Sequence, residues 1–133
     1  MQALQQSTMK KLAPVIMVDA IEPCVSFWER LGFTKTAEVP EGDRLGFIIL
    51  AKDGVEVMYQ THESVQKDAG GLVPRAHGHG ASFFIEVSDI ESVVRALDGV
   101  DVVVPRRQTF YGMDEIGVRE PGGHVVMFAQ PTG

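Results

Sequence analysis

Apolar and polar positions along the chain follow two rhythms, and the pair of rhythms occurs twice. Pro14 to Val18 (PVIMV) is an apolar run of buried-strand length, with Pro14 at its start or on an edge. Val25, Trp28 and Leu31 then recur at helical spacing, with Pro23 suited to a first turn and Gly32 to a stop. Asp19 stands where a helix cap is expected, and Glu22 where a capping box places its partner. Phe33 to Val39 and Leu45 to Leu50 read as strands around the turn Pro40-Glu41-Gly42-Asp43. Lys52-Asp53-Gly54 turns into a last strand, Val55 to Gln60.

The second half repeats the order. Ser82 to Val87 is a strand, Ser88 and Asp89 cap a helix to about Leu97, and Val102 to Pro105 is a strand. Gln108 to Met113 is a loop or strand edge, and Glu115 to Arg119 turns through Pro121-Gly122-Gly123 into Val125 to Ala129. At an offset of 69 positions Val18 falls on Val87, Ile21 on Ile90, Glu22 on Glu91, Gly54 on Gly123 and Met58 on Met127. The expected fold is α+β: two tandem β-α-β-β-β modules forming a half-open, barrel-like sheet with a shared cleft. An N-terminal extension is expected over 1–10, the first module over 11–61, a linker over 62–80 and the second module over 81–133. The linker is polar, then rich in Gly, Pro and His, and shows no strong periodicity.

Strand side chains alternate between faces. Val57, Tyr59, Phe83, Ile85, Val87, Ile116, Val118, Val126 and Phe128 suit the face beneath a helix, with Trp28 in the core. The opposite face mixes apolar and charged residues, as a cleft wall or a wet surface does. Met58, Phe84 and Met127 are not expected to point to water together, so they are read as an apolar cleft floor. Glu56, Glu86, Glu115 and Arg119 are expected on its walls, Ser82 on the same face and Tyr111 near the rim.

Composition narrows the function. The 133 residues, 44% hydrophobic, support one domain or two small modules sharing a core. The net charge is −6, and Lys10-Lys11 and Arg106-Arg107 are the only basic pairs, so no nucleic-acid surface is expected. The acidic balance mildly favours a cationic or neutral ligand. No apolar run approaches the roughly 18 residues of a membrane span. Cys24 is the lone cysteine and the N-terminus lacks a signal-peptide centre, so a cytoplasmic location is expected.

Other groups carry weaker signals. His77 and His79 resemble a metal clip but sit in a Gly-rich linker. His124 is expected at a hairpin end facing solvent, and His62 in solvent. Cys24 is either a small helix-face residue or a thiol activated near a helix start. Arg106-Arg107 is a solvated pair or an anion grip, and Arg119 with Glu86 is a structural ion pair or a ligand anchor. Gln108 to Gly112 has the composition of a loop that closes over a pocket. Glu56, Glu86 or Glu115 in a partly apolar cleft would also suit a general base.

The string FWERLGF at Phe27 to Phe33, the turn Asp53-Gly54 and the closing Glu120-Pro121-Gly122-Gly123-His124 resemble the vicinal oxygen chelate superfamily. That superfamily includes glyoxalase I, extradiol dioxygenases, fosfomycin resistance enzymes and bleomycin-binding proteins. The resemblance runs from about Leu12 to Gln130. It implies that metal-dependent members draw ligands from the positions held here by Ala13, Met58, Ser82 and Met127. None of these is an imidazole or carboxylate, the donors a hard divalent ion wants. The pattern is therefore similar to the metal-free, bleomycin-resistance-like branch, which sequesters a small molecule, with no metal and no cofactor. The alternative is a metal-dependent lyase or dioxygenase of the same superfamily. The resemblance also implies a homodimer with clefts near its interface.

Overall fold

The computed structural model describes residues 11–69 and 82–133. His77 and His79, and the extension before Lys11, lie outside the described residues. The element order is β1 (Val15–Val18), α1 (Glu22–Arg30), β2 (Thr34–Glu41), β3 (Arg44–Lys52), β4 (Val55–Thr61) and α2 (His62–Ala69). The second half contributes β5 (Phe83–Glu86), α3 (Ile90–Ala96), β6 (Val102–Gln108), β7 (Met113–Arg119) and β8 (Val125–Pro131). Two four-stranded sheets result, ordered β1-β4-β3-β2 and β5-β8-β7-β6, and neither is closed. In each, the first strand pairs parallel with the last and the other pairs are antiparallel. The repeat holds at the level of register: Val15 partners Met58 and Phe84 partners Met127.

Four sequence expectations change. The helix at His62–Ala69 lies in the stretch read as an aperiodic linker, and it buries Ser64 and Val65. A helix of eight residues leaves little period to detect, and packing rather than pattern holds it. His62, expected in solvent, is only 17% exposed and lies 3.9 Å from Asp19. The capping box at α1 does not form. Ile21 is the cap residue, with no side-chain cap bond, and the Glu22 carboxylate accepts the Leu45 N–H at 2.8 Å. That bond leads the causes that hold Glu22 below its ordinary pKa. By contrast Asp89 caps α3, accepting from the N–H groups of Glu91 and Ser92. Finally, β6 runs on through Pro105 to Gln108, because an edge strand tolerates a proline that a central strand would not.

The helix faces of both sheets share one core. Ile16, Val18, Ile48, Leu50, Val57 and Tyr59 of the first module are buried, as are Ile116, Val118, Val126 and Phe128 of the second. Cys24, Val25, Phe27 and Trp28 bring α1 onto it, and Ile90 and Val93 bring α3. Trp28 stacks edge-on with Phe27 and Phe33, with ring centroids 5.2 and 4.9 Å apart. Removing such a ring costs about 3–5 kcal/mol, so Trp28→Ala is the single change expected to break this half of the core.

Hydrogen bonds that join the modules also run on the helix side. Trp28 Nε1 donates to the Tyr59 hydroxyl at 2.8 Å, and Tyr59 donates onward to Glu120 Oε2 at 2.7 Å. Arg30, at the end of α1, donates to the carbonyls of Ala96 and Asp98.

Candidate functional site

With the helix faces spent on the core, the opposite sheet faces remain available. On the first sheet, one row across the strands is Val15, Met58, Ile49 and Ala37. The next is Met17, Gln60, Phe47 and Val39. These side chains are half-buried or exposed, Val15 at 51% and Val39 at 55%. Glu56, expected on a cleft wall, lies on this face and is paired with Lys11 at 2.6 Å.

On the second sheet the matching rows are Phe84, Met127, Gly117 and Val104, then Glu86, Ala129, Glu115 and Arg107. Gly117 makes the first row possible. A Cβ there would come within 2.5 Å of Met127 Sδ and 3.0 Å of Val104, so the thioether and the valine both lie close above the bare backbone. Phe84 stays 56% exposed beside them. Ser82, exposed, stands two residues before Phe84 and so on the same face.

Glu115 is the most unusual residue of this face, being fully buried. Its Oε1 accepts from Arg107 Nε at 3.1 Å, Arg107 Nη2 at 2.9 Å and the Tyr111 hydroxyl at 2.8 Å. Its Oε2 is buried, and no donor among the described residues reaches it. Tyr111 is half-exposed, and Phe110 beside it is fully exposed, the two rings meeting edge-on at 5.1 Å. Glu115 and Tyr111, named separately from sequence, are thus brought into direct contact.

Several expectations are corrected. Arg119 does not pair with Glu86: it lies 3.5 Å from Asp101 and donates to the Gly123 carbonyl. Its register partner on β8 is Val125, whereas that of Glu86 is Ala129, a separation of about 13 Å along the strand. The Arg106-Arg107 pair is not a single solvated unit. Strand alternation sends Arg107 to Glu115 and Arg106 to Asp114 and Glu91. Hydrogen bonds from Arg106 hold both of those carboxyls below their ordinary pKa. A register shift between Val104 and Arg107 puts Arg107, not Arg106, on the same face as Val104; strict alternation past Pro105 selects Arg106, so the sequence carries no signal for this residue.

The two groups read as hairpin-end and helix-face residues belong to a buried network. His124 is only 12% exposed at the side chain, and its Nδ1 lies 2.9 Å from Glu120 Oε1. Glu120 also accepts the N–H groups of Gly122 and His124. Burial alone would push Glu120 up, but these bonds and the Tyr59 hydroxyl outweigh it and hold the carboxyl below its ordinary pKa. Burial, followed by the charge of Glu120, pushes the Cys24 thiol up to about 12. The activated-thiol reading therefore fails.

The positions at which the resemblance places metal ligands do not fit a metal. Met58 and Met127 hold equivalent register positions, and Ala13 and Ser82 stand two residues before their partners. A methyl, two thioethers and a hydroxyl are poor donors to a hard divalent ion. Among the described residues, no three His, Cys, Asp or Glu side chains gather as a metal-holding group. No described helix is long and apolar enough to cross a membrane.

Fold and face together define a class: an α+β protein of paired β-α-β-β-β modules, each presenting an open sheet face. A family model described as Glyoxalase/Bleomycin resistance protein/Dioxygenase superfamily matches residues 10–128, and the chain belongs to that superfamily. Among solved structures it is similar to TioX from Micromonospora sp. ML1, at 22% identity and a TM-score of 0.72, covering 92% of this chain and 99% of that one. It is similar also to a glyoxalase/bleomycin resistance protein/dioxygenase family enzyme from Burkholderia phytofirmans PsJN, at 14% identity and a TM-score of 0.73, covering 90% and 96%. Protein PA1353 from Pseudomonas aeruginosa aligns at 19% identity and a TM-score of 0.72, covering 92% and 98%. Identities this low show the shared fold and nothing finer. No curated protein matches.

Proposed function

We propose that the protein is a metal-free small-molecule binding protein of this superfamily, sequestering a cationic or neutral, partly aromatic compound. The observation that supports this most is the character of the open faces. Met58, Phe84 and Met127 offer apolar surface beside carboxylates, while the ligand positions of metal-dependent relatives hold Ala13, Met58, Ser82 and Met127. Met side chains adapt to ligands of varied shape. On the open faces Lys11 balances Glu56 and Arg107 balances Glu115, which leaves the charge of Glu86 as the excess among these groups, so an anion is disfavoured.

We infer further that the working unit is a homodimer. Val15, Val39 and Phe84 are more than half exposed on the open faces, and a second copy of the chain would enclose them. A buried, unpaired Cys24 is consistent with a cytoplasmic location.

The test is elemental analysis of the purified protein together with titration of a panel of cationic, neutral and anionic aromatic compounds. The expected result is no stoichiometric divalent metal, binding of at least one cationic or neutral member, and weakening by about tenfold or more in Met58→Glu, which places a charge on apolar surface. Stoichiometric metal would favour the metal-dependent lyase or dioxygenase instead. Binding confined to small anions, or untouched by Met58→Glu, would return the face to ordinary surface.

A further inference from the structure

Glu115 holds a carboxylate that its own module satisfies on one side only. Three N–H or O–H groups converge on Oε1, while Oε2 is buried with no donor within reach among the described residues. A buried carboxyl oxygen without a partner is rare in a native protein, and it marks a place for a missing hydrogen-bond donor. The surroundings state which donor fits. Along its row Glu115 is followed across β8 by Ala129, whose small side chain adds no bulk, and then by Glu86 at the sheet edge. Arg107 neutralises Glu115 from the β6 side, so Glu86 leaves the row with one net negative charge. The next row, two residues along the strands and so about 7 Å away, is Phe84, Met127 and Gly117, apolar and partly open.

We propose that Glu115 anchors a primary ammonium group carried by an aryl-bearing ligand. Oε2 accepts an ammonium N–H, Glu86 supplies the balancing charge, and the aryl body lies on the Phe84–Met127–Gly117 row. Tyr111 keeps the carboxylate oriented, and the exposed ring of Phe110 stands beside it at the rim. A metal ion is the poorer occupant, because one carboxylate oxygen already serves an arginine and, among the described residues, no cluster of further ligands surrounds it. The proposal rests on the small-molecule-binding reading above and adds the chemistry of the ligand's polar end.

A matched set of probes tests it: 3-phenylpropylamine, 3-phenylpropan-1-ol and 3-phenylpropionate, titrated calorimetrically at pH 7 into wild type, Glu115→Gln and Glu86→Gln. Wild type is expected to prefer the amine over the alcohol by about tenfold, the worth of one charged hydrogen bond. Glu115→Gln should abolish that preference, and Glu86→Gln should weaken the amine by a smaller factor. Amine and alcohol binding alike, or an undiminished preference in Glu115→Gln, would overturn the anchor. Should Glu115→Gln fail to fold, the Arg107 Nε–H resonance of wild type decides. It should shift on addition of the amine and not of the alcohol, and an equal response overturns the anchor. If the alcohol binds and the amine binds no better, the anchor falls and the binding reading stands. If none of the three binds, the anchor falls, and the binding reading falls with it only when the wider panel is silent too.

Discussion

The turn between β7 and β8 and the turn between β3 and β4 are counterparts in the repeat, yet they meet the opposite module in different ways. Register makes Glu120 and His124 the counterparts of Lys52 and Val55, the later turn being one residue longer. Glu120 reaches across to Tyr59 and the neighbourhood of Cys24, and every strong donor around it is engaged. Gly122 fits there because it lacks a side chain: a Cβ would meet Val18 and the Glu120 carboxylate at 2.9 Å. Lys52 instead turns back and donates to the Leu31 carbonyl at the end of its own helix. Facing its turn, Phe128 stands in the place of Tyr59 and offers no hydroxyl, and Val93 stands in the place of Cys24. What remains there is a cleft of about 340 Å³, lined among others by Asp53, Val55, Val87, Val93 and Phe128. The lesson is that a repeated pattern of apolar positions specifies the same frame twice, while a few polar residues decide whether a joint between frames is plugged or left open.

The largest expected effect comes from removing the plug. Glu120→Ala takes the acceptor from the buried Tyr59 hydroxyl and from the half-buried N–H groups of Gly122 and His124, and is expected to cost about 3–5 kcal/mol. The counterpart Lys52→Ala, at an exposed joint, is expected to cost about 1 kcal/mol or less. Urea unfolding of the two variants measures both, and equal losses would erase the distinction between the joints.

Acid should weaken the plugged joint selectively. Glu120 has a folded-state pKa below its ordinary value of 4.5. Its contribution is therefore complete above that value and is lost as pH falls through the folded-state pKa. The stability gap between wild type and Glu120→Gln should be widest near neutrality and should shrink on acidification below about pH 4.5. Glu22, Glu91 and Asp114 are lowered too, but they are common to both proteins and cancel in the difference. A gap that stays constant from neutral pH to strong acid would show that the Glu120 charge does not hold the joint.

A smaller effect is expected for Tyr59→Phe, which gives the first joint the residue found at the second. It removes the acceptor of Trp28 and one donor to Glu120, and should cost about 1.5–3 kcal/mol by denaturant unfolding. A loss as small as that of Lys52→Ala would mean that the carboxylate is satisfied without the hydroxyl.

Much of this was legible in the chain. Helix spacing at Val25, Trp28 and Leu31 and alternation along Val55 to Gln60 assigned elements and faces, because those signals are local and repeat within a few residues. The open-face residues Met58, Phe84 and Met127 followed from the same alternation, and register confirms that Phe84 and Met127 are neighbours. The capping box failed for a reason no local pattern contains: Leu45, on β3, took the Glu22 carboxylate. The Arg119–Glu86 pairing failed likewise, since the number of residues separating them along β8 is a property of register.

By itself, then, the sequence determined the two modules and their inward and outward faces. Each of these depends on residue type and short-range period alone. The tertiary structure decided which polar groups meet. Tyr59 and Glu120 are 61 positions apart and Arg107 and Glu115 lie on neighbouring strands, so their union awaited strand register, the length of one turn and the packing of one module on the other. The physical reason is that a hydrophobic face is satisfied by any apolar neighbour, whereas a buried carboxylate requires particular donors at particular distances, and only the assembled chain sets those distances.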